Sequence, residues 1–179
     1  PLATVLFILA AARPQAGREM REVVSEGIDI LLAIDVSGSM RCEDFRPQNR
    51  LFVAKGVAKE FLRGRDQDRI GLVAFAGRSE LVSPLTLDYD GLASLIDGLD
   101  FGMLPDGTAV GSAVAQGAER LRRAKGKSRV LILLTDGINN AGAVDPVTAA
   151  RHAAAVGVRI YTIGAGTQEN TAQKGGLIV

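Results

Sequence analysis

Apolar residues along this chain fall into two rhythms. Ile28 to Ile34 is almost continuously apolar, the pattern of a strand buried on both faces of a parallel sheet. Arg69 to Phe75 and Val130 to Leu134 read as further strands, and Arg159 to Ile163 as a last one. Between them the spacing turns helical. Leu51, Ala54, Val57, Ala58, Phe61 and Leu62 form one stripe along a helix from Arg50 to Leu62. Asp88 to Leu99 and Thr108 to Arg123 read as two more helices, the first opened by an acidic cap and the second with Thr108 at its start. Asp145-Pro146 opens another, cap residue then proline, which closes at Gly157. Gly77-Arg78 makes a turn into a short strand, Glu80 to Val82, and this tight spacing predicts a hairpin with that strand antiparallel at the sheet edge.

Strands alternating with helices define an α/β fold: a doubly wound, mostly parallel sheet flanked by helices, with one antiparallel edge strand. The domain is expected over residues 27–166, after a membrane-proximal segment (1–15) and a polar linker (16–26), and before a polar, glycine-rich tail (167–179). In such sheets ligands bind beyond the carboxyl ends of the strands, where strand order reverses. Asp35 and Asp136 each follow directly on an apolar strand, so both are expected at that end.

Composition narrows the chemistry. At 179 residues the chain suits one domain with a sizeable core, and a formal net charge of +1 gives no electrostatic footprint for nucleic acid. Cys42 is the single cysteine and His152 the single histidine, which excludes a thiolate cluster and a zinc site built on histidines. A metal held by this chain is therefore a hard ion with oxygen ligands.

Such ligands are available. Asp35, Ser37 and Ser39 alternate, so in a locally extended segment their side chains point the same way, with Gly38 allowing a tight turn between the serines. Asp136 adds a carboxylate from another strand end, and Thr108 a hydroxyl after the Asp106-Gly107 turn. Two carboxylates and three hydroxyls suit Mg²⁺, which takes six oxygens and keeps some waters. The two aspartates balance the ion's charge and leave it electrophilic towards a carboxylate from outside. Taken singly, Asp35, Ser39 and Thr108 are ordinary helix caps, worth about 1 kcal/mol each. Taken together, the three segments in this order favour a metal site.

The set Asp35-Val36-Ser37-Gly38-Ser39, Thr108 and Asp136 resembles the metal-ion-dependent adhesion site of von Willebrand factor type A domains. The resemblance implies Mg²⁺, sometimes Mn²⁺, with Ser37 and Ser39 as direct ligands, Thr108 a ligand in a high-affinity state, and Asp35 and Asp136 bound directly or through water. It implies a protein partner that offers an Asp or Glu carboxylate. Ala12 to Gln15, Asn49-Arg50-Leu51, Asp68 to Gly77, Pro84 to Asp90 and Leu134 to Gly137 are also similar to the bacterial Bat aerotolerance proteins. That narrower resemblance implies a membrane anchor, a periplasmic domain and association with a MoxR-type ATPase. The family continues with a sixth strand and a final helix that Thr167 to Val179 does not convincingly supply, so Arg159 to Ile163 is expected to form an exposed edge.

The uncharged run Leu2 to Ala12 is too short to span a bilayer alone, which takes about 20 residues. It reads as the end of a membrane helix, against a signal-peptide core or a buried helix as alternatives. Arg13, Arg18 and Arg21 favour a cytoplasmic domain by the positive-inside rule, whereas the family resemblance implies the periplasm, where the domain is expected. The main rival function is a Mg²⁺-dependent, phosphatase-like hydrolase with Asp35 as nucleophile, but the second aspartate it needs two residues on is Ser37. A serine hydrolase fails because His152 lies within the last helix, and a dinucleotide site fails because Gly164-Ala165-Gly166 opens no visible helix. The domain is therefore expected to bind rather than to catalyse. Met40, Arg41, Glu43, Asp44, Met103, Asn139 and Asn140 lie in loops at the same end and are expected to shape the partner surface.

Overall fold

The computed structural model describes residues 27–166. The expectations for 1–15, 16–26 and 167–179 lie outside the described residues. Five strands and four α-helices follow in the order β1 (Asp29–Asp35), α1 (Arg50–Arg63), β2 (Arg69–Phe75), β3 (Ser79–Thr86), α2 (Tyr89–Asp97), α3 (Val110–Arg122), β4 (Arg129–Thr135), α4 (Pro146–Ala155) and β5 (Val158–Gly164). The sheet order is β3-β2-β1-β4-β5. β1 runs parallel to β2 and β4, β4 parallel to β5, and β3 antiparallel to β2 at one edge.

The apolar rhythm of β1 explains why it lies centrally. Ile30, Leu32 and Ile34 pack against α1 and α2 through Leu51, Ala54, Ala58, Leu62, Leu92 and Ile96. Leu31 and Ala33 point to the other face and meet Ala113, Val114, Ala118 and Leu121 of α3 and Ala149 and Ala153 of α4. All seven residues of β1 are buried, as a two-sided strand requires. At about 25 cal/mol per Å² of apolar surface removed from water, these two cores supply the main driving force for folding.

Two boundaries and one burial differ from the sequence reading. β3 extends over Ser79–Thr86 rather than three residues, because Pro84 is tolerated on an edge strand and a register shift accommodates the pairing around Gly71 and Leu72. A side chain on Gly71 would meet Leu31 Cδ1 at 2.8 Å and the Ser83 carbonyl at 3.1 Å, so the shift needs glycine there. The helix expected from Thr108 begins at Val110, and Thr108 belongs to the preceding loop. Val57, placed on the apolar stripe of α1, is 47% exposed because six residues of helical rotation carry it about 120° from Leu51.

Caps hold the helix starts in place. Asn49 accepts a hydrogen bond from the Phe52 N–H, Asp88 from Gly91 and Asp145 from Thr148, the last with Pro146 in the first turn. Among the described residues β5 pairs only with β4 and forms the second edge, with Tyr161 and Ile163 exposed on it. No helix of the described residues is long and apolar enough to cross a membrane.

Candidate metal centre

β1 and β4 are adjacent, and from that pair the chain winds outward in opposite directions, to β2 and β3 on one side and to β5 on the other. Their carboxyl ends therefore frame the crevice in which a doubly wound sheet binds ligands. Asp35 ends β1, and Asp136 follows the last residue of β4. The convergence expected from the sequence is present.

Asp35 is fully buried. Its Oδ1 accepts the Ser37 N–H at 2.9 Å and its Oδ2 accepts the Thr135 hydroxyl at 2.6 Å. These bonds make it the anchor of the loop rather than a cap of the short 3-10 turn that follows at Gly38–Arg41. Burial holds the Asp35 carboxyl above the ordinary aspartate range; hydrogen bonds from Ser37 and Thr135 pull the other way, and the charge of Asp136 adds to the rise. A buried carboxylate whose ionisation is opposed in this way is relieved by a bound cation.

The hydroxyls of Ser37 and Ser39 lie 3.1 Å apart, and Ser39 Oγ donates to Asp136 Oδ1 at 2.7 Å. In an octahedral site with metal–oxygen bonds of about 2.1 Å, neighbouring ligand oxygens lie about 3 Å apart. The two observed separations match adjacent edges of such an octahedron, so these residues fit a small divalent ion. Among the described residues no three carboxylate, thiol or imidazole side chains cluster as a metal site.

Thr108 is brought to the same end by a braced loop. Its N–H donates to Asn140 Oδ1 at 2.7 Å, and its carbonyl accepts from the N–H groups of Asn140 and Ala141. Ala109 N–H donates to the Ala76 carbonyl and Gly77 N–H to the Pro105 carbonyl. A side chain on Gly77 would sit 2.5 Å from the Asp106 carbonyl, so only glycine lets the 105–109 loop approach β2. A Cβ on Gly137 would stand 3.1 Å from Thr108 Oγ1, which places the hydroxyl against the loop that carries Asp136.

The sequence reading missed two residues. Arg50, at the start of α1, is 9% exposed; its guanidinium donates to Asp136 Oδ2 through one nitrogen and to Asp44 Oδ2 through two others. Asp106 Oδ1 accepts the Gly38 N–H at 3.2 Å, tying the threonine loop to the serine loop. An arginine just inside a helix start, next to a capping asparagine, reads locally as a solvated residue, and only the tertiary pairing reveals its target.

The proposed partner surface is also revised. Met40 is fully buried in the core and Asp44 is committed to Arg50. Asn139 and Asn140 brace backbone, accepting from Gly111 and Thr108. Arg41, whose guanidinium lies 5.1 Å from the centre of the Phe101 ring, Glu43, Met103 and Asn140 remain exposed, and Ile138 joins them at 61%.

The model of the von Willebrand factor type A domain matches residues 29–174. An uncharacterised protein of Borreliella burgdorferi is 31% identical over 168 residues, covering 94% of this chain and 49% of its own length. The chain spans about half the length of the curated relatives it matches. An aerotolerance-related membrane protein from Bacteroides fragilis superposes with a TM-score of 0.71 at 29% identity, over 77% of this chain and 67% of the other. A mussel byssus protein, proximal thread matrix protein 1, has a structure with zinc in its MIDAS motif; it superposes at 0.66 with 25% identity, over 79% of this chain and 36% of the other.

Proposed function

The chain belongs to the von Willebrand factor type A family, and from that premise we propose that it is a metal-dependent protein-interaction module. The cation is Mg²⁺, with Mn²⁺ as substitute, and it binds the Asp or Glu carboxylate of a partner. The observation that carries this reading is the Ser37–Ser39–Asp136 array, whose oxygens lie 3.1 and 2.7 Å apart at the strand-order reversal. Ser37, Ser39 and Thr108 contribute neutral hydroxyls, and Asp35 and Asp136 the charge. The bound ion supplies a Lewis-acidic position for an outside oxygen. Asp35 organises the loop from beneath, and Arg41, Glu43, Met103 and Ile138 form the rim that a partner meets. Zinc in the motif of the mussel protein makes Zn²⁺ the competing ion to include in any comparison.

The similarity to an aerotolerance-related membrane protein supports a membrane-anchored parent protein. We place the domain on the periplasmic side and a MoxR-type ATPase among its companions, both as part of the same proposal. The test is a peptide array in which each Asp or Glu peptide is paired with its Asn or Gln counterpart, probed in Mg²⁺ and in chelator. Binding that requires both the carboxylate and the metal, and that disappears in Asp35→Ala, supports the reading. Binding indifferent to metal and carboxylate would exclude it.

A further inference from the structure

We propose that Arg50 is the positioning and charge-setting residue of the metal centre, holding Asp136 by one oxygen and offsetting part of the carboxylate charge that the cation meets. The inference rests on the metal reading above and concerns residues outside the five-residue motif. Asp136 has two oxygens with separate engagements. Oδ1 faces Ser39, while Oδ2 is held by the Arg50 guanidinium. Asp136 therefore reaches a cation at the serines through Oδ1, directly or through a water, and chelation through both oxygens is blocked while Arg50 holds the other.

Asp44 orients the arginine. Its Oδ2 accepts from both Nε and Nη2 of Arg50, and the Arg50 N–H donates to the Cys42 carbonyl. The guanidinium is thus fixed from both sides in a nearly buried position, with the Asp44 side chain 17% and the Asp136 side chain 1% exposed. Burying such an ion triad brings little net stability, because desolvation offsets the attraction. Its effect on a neighbouring divalent ion is larger. A fixed positive charge beside the site weakens the hold of the protein on the metal and leaves more of the metal's charge for a ligand from outside. An interaction module gains from this trade: it keeps its metal loosely but binds an acidic partner through it.

A purely structural arginine makes the opposite prediction. If Arg50 only tied the 42–49 loop to the end of β4, its removal would loosen Asp136 and weaken metal binding. The experiment is calorimetric titration of Mg²⁺ into the wild-type chain, Arg50→Met, Arg50→Lys and Asp44→Asn, with folding checked by circular dichroism. Arg50→Met is expected to bind Mg²⁺ about tenfold tighter or more, Arg50→Lys within about threefold of wild type, and Asp44→Asn about tenfold more weakly. Folded Arg50→Met with unchanged or weaker affinity would overturn the proposal, as would Arg50→Lys tightening as much as Arg50→Met. If Arg50→Met does not fold, Asp44→Asn decides, and an unchanged affinity there overturns the proposal. Folded wild type that binds no Mg²⁺, together with an inert Arg50→Met, removes the metal reading itself and the Arg50 role with it. A wild type that binds Mg²⁺ without the expected shifts removes only the Arg50 role.

Discussion

Ser39 and Asp136, 97 residues apart in sequence, are joined by a 2.7 Å hydrogen bond from the serine hydroxyl to Oδ1 of the carboxylate. The bond spans the gap between the loop after β1 and the loop after β4, and its two oxygens are among those proposed to meet a cation. Ser39→Ala removes a proposed ligand without touching the core. It should lower Mg²⁺ affinity by at least about tenfold while costing about 1 kcal/mol or less in metal-free stability, as expected for a solvent-accessible hydrogen bond. Calorimetry and urea denaturation, run in chelator, check the two halves separately.

Thr135 supports the site from below. Its hydroxyl donates to Asp35 Oδ2 and accepts the Gly137 N–H at 3.1 Å. Thr135→Val keeps the shape but leaves the buried carboxylate short of a donor. The expected loss is about 1–3 kcal/mol of stability, the range for a buried group left unsatisfied, accompanied by weaker metal binding. A shift of the urea midpoint with unchanged slope is the signature.

The approach of the threonine loop depends on Gly77. In Gly77→Ala the new methyl would overlap the carbonyls of Asp106, at 2.5 Å, and Pro105, at 2.8 Å, both backbone atoms that cannot rotate away. The loop must move outward and take Thr108 with it. Overpacking of this kind costs about 1–3 kcal/mol, and metal affinity should fall together with stability. A variant of unaltered affinity would show that Thr108 is not needed for binding.

Asp29 provides the control at the far end of the sheet. It is buried, takes a bidentate contact from Arg69 at 2.7 and 2.8 Å, and accepts the Gly126 N–H. Asp29→Ala leaves the partly exposed Arg69 guanidinium and the Gly126 N–H without their acceptor and should destabilise the fold by about 1–3 kcal/mol. The folded fraction should bind Mg²⁺ with wild-type affinity, because Asp29 opens β1 whereas Asp35 closes it. Thermal melts with and without saturating Mg²⁺ give both quantities.

The pH dependence follows from Asp35, whose carboxyl stands above the ordinary aspartate range chiefly through burial. A group with a raised folded pKa binds protons more readily folded than unfolded. Metal-free stability attributable to Asp35 therefore falls as pH rises from the ordinary aspartate value through the raised one. Metal binding needs the ionised form, so Mg²⁺ affinity should rise over the same window and level off above it. Melting curves from pH 4 to 8, with Mg²⁺ and with chelator, should diverge as pH rises; parallel curves would contradict this role for Asp35.

Much of this architecture was legible in the sequence because its signals are local. The two-sided apolar run of β1, the Asp145-Pro146 helix start and the Gly77-Arg78 turn each specify their element within a few residues. Asp35, Ser37 and Ser39 stood out as candidates because oxygen-bearing residues alternate directly after a strand, whereas Thr108 and Asp136 stood out only in combination with them. Arg50 was not, because nothing near it in sequence signals its partner at Asp136, 86 residues away. Met40 was misplaced for a related reason: a loop position gives no hint that the 3-10 turn rotates its side chain into the core, where it is 0% exposed. Asn139 and Asn140 carry no local sign that their amide oxygens accept the Gly111 and Thr108 N–H groups, 28 and 32 residues away.

The central claim is that Asp35, Ser37, Ser39, Thr108 and Asp136 together hold one divalent cation. Its most direct test is calorimetric titration of Mg²⁺ and Mn²⁺ into the wild-type chain and into Asp35→Ala, with folding of both confirmed by circular dichroism. The account predicts saturable binding of one ion per chain in the wild type and its loss in the variant. A folded wild-type chain that takes up neither ion, or a folded Asp35→Ala that binds as tightly as wild type, would contradict it.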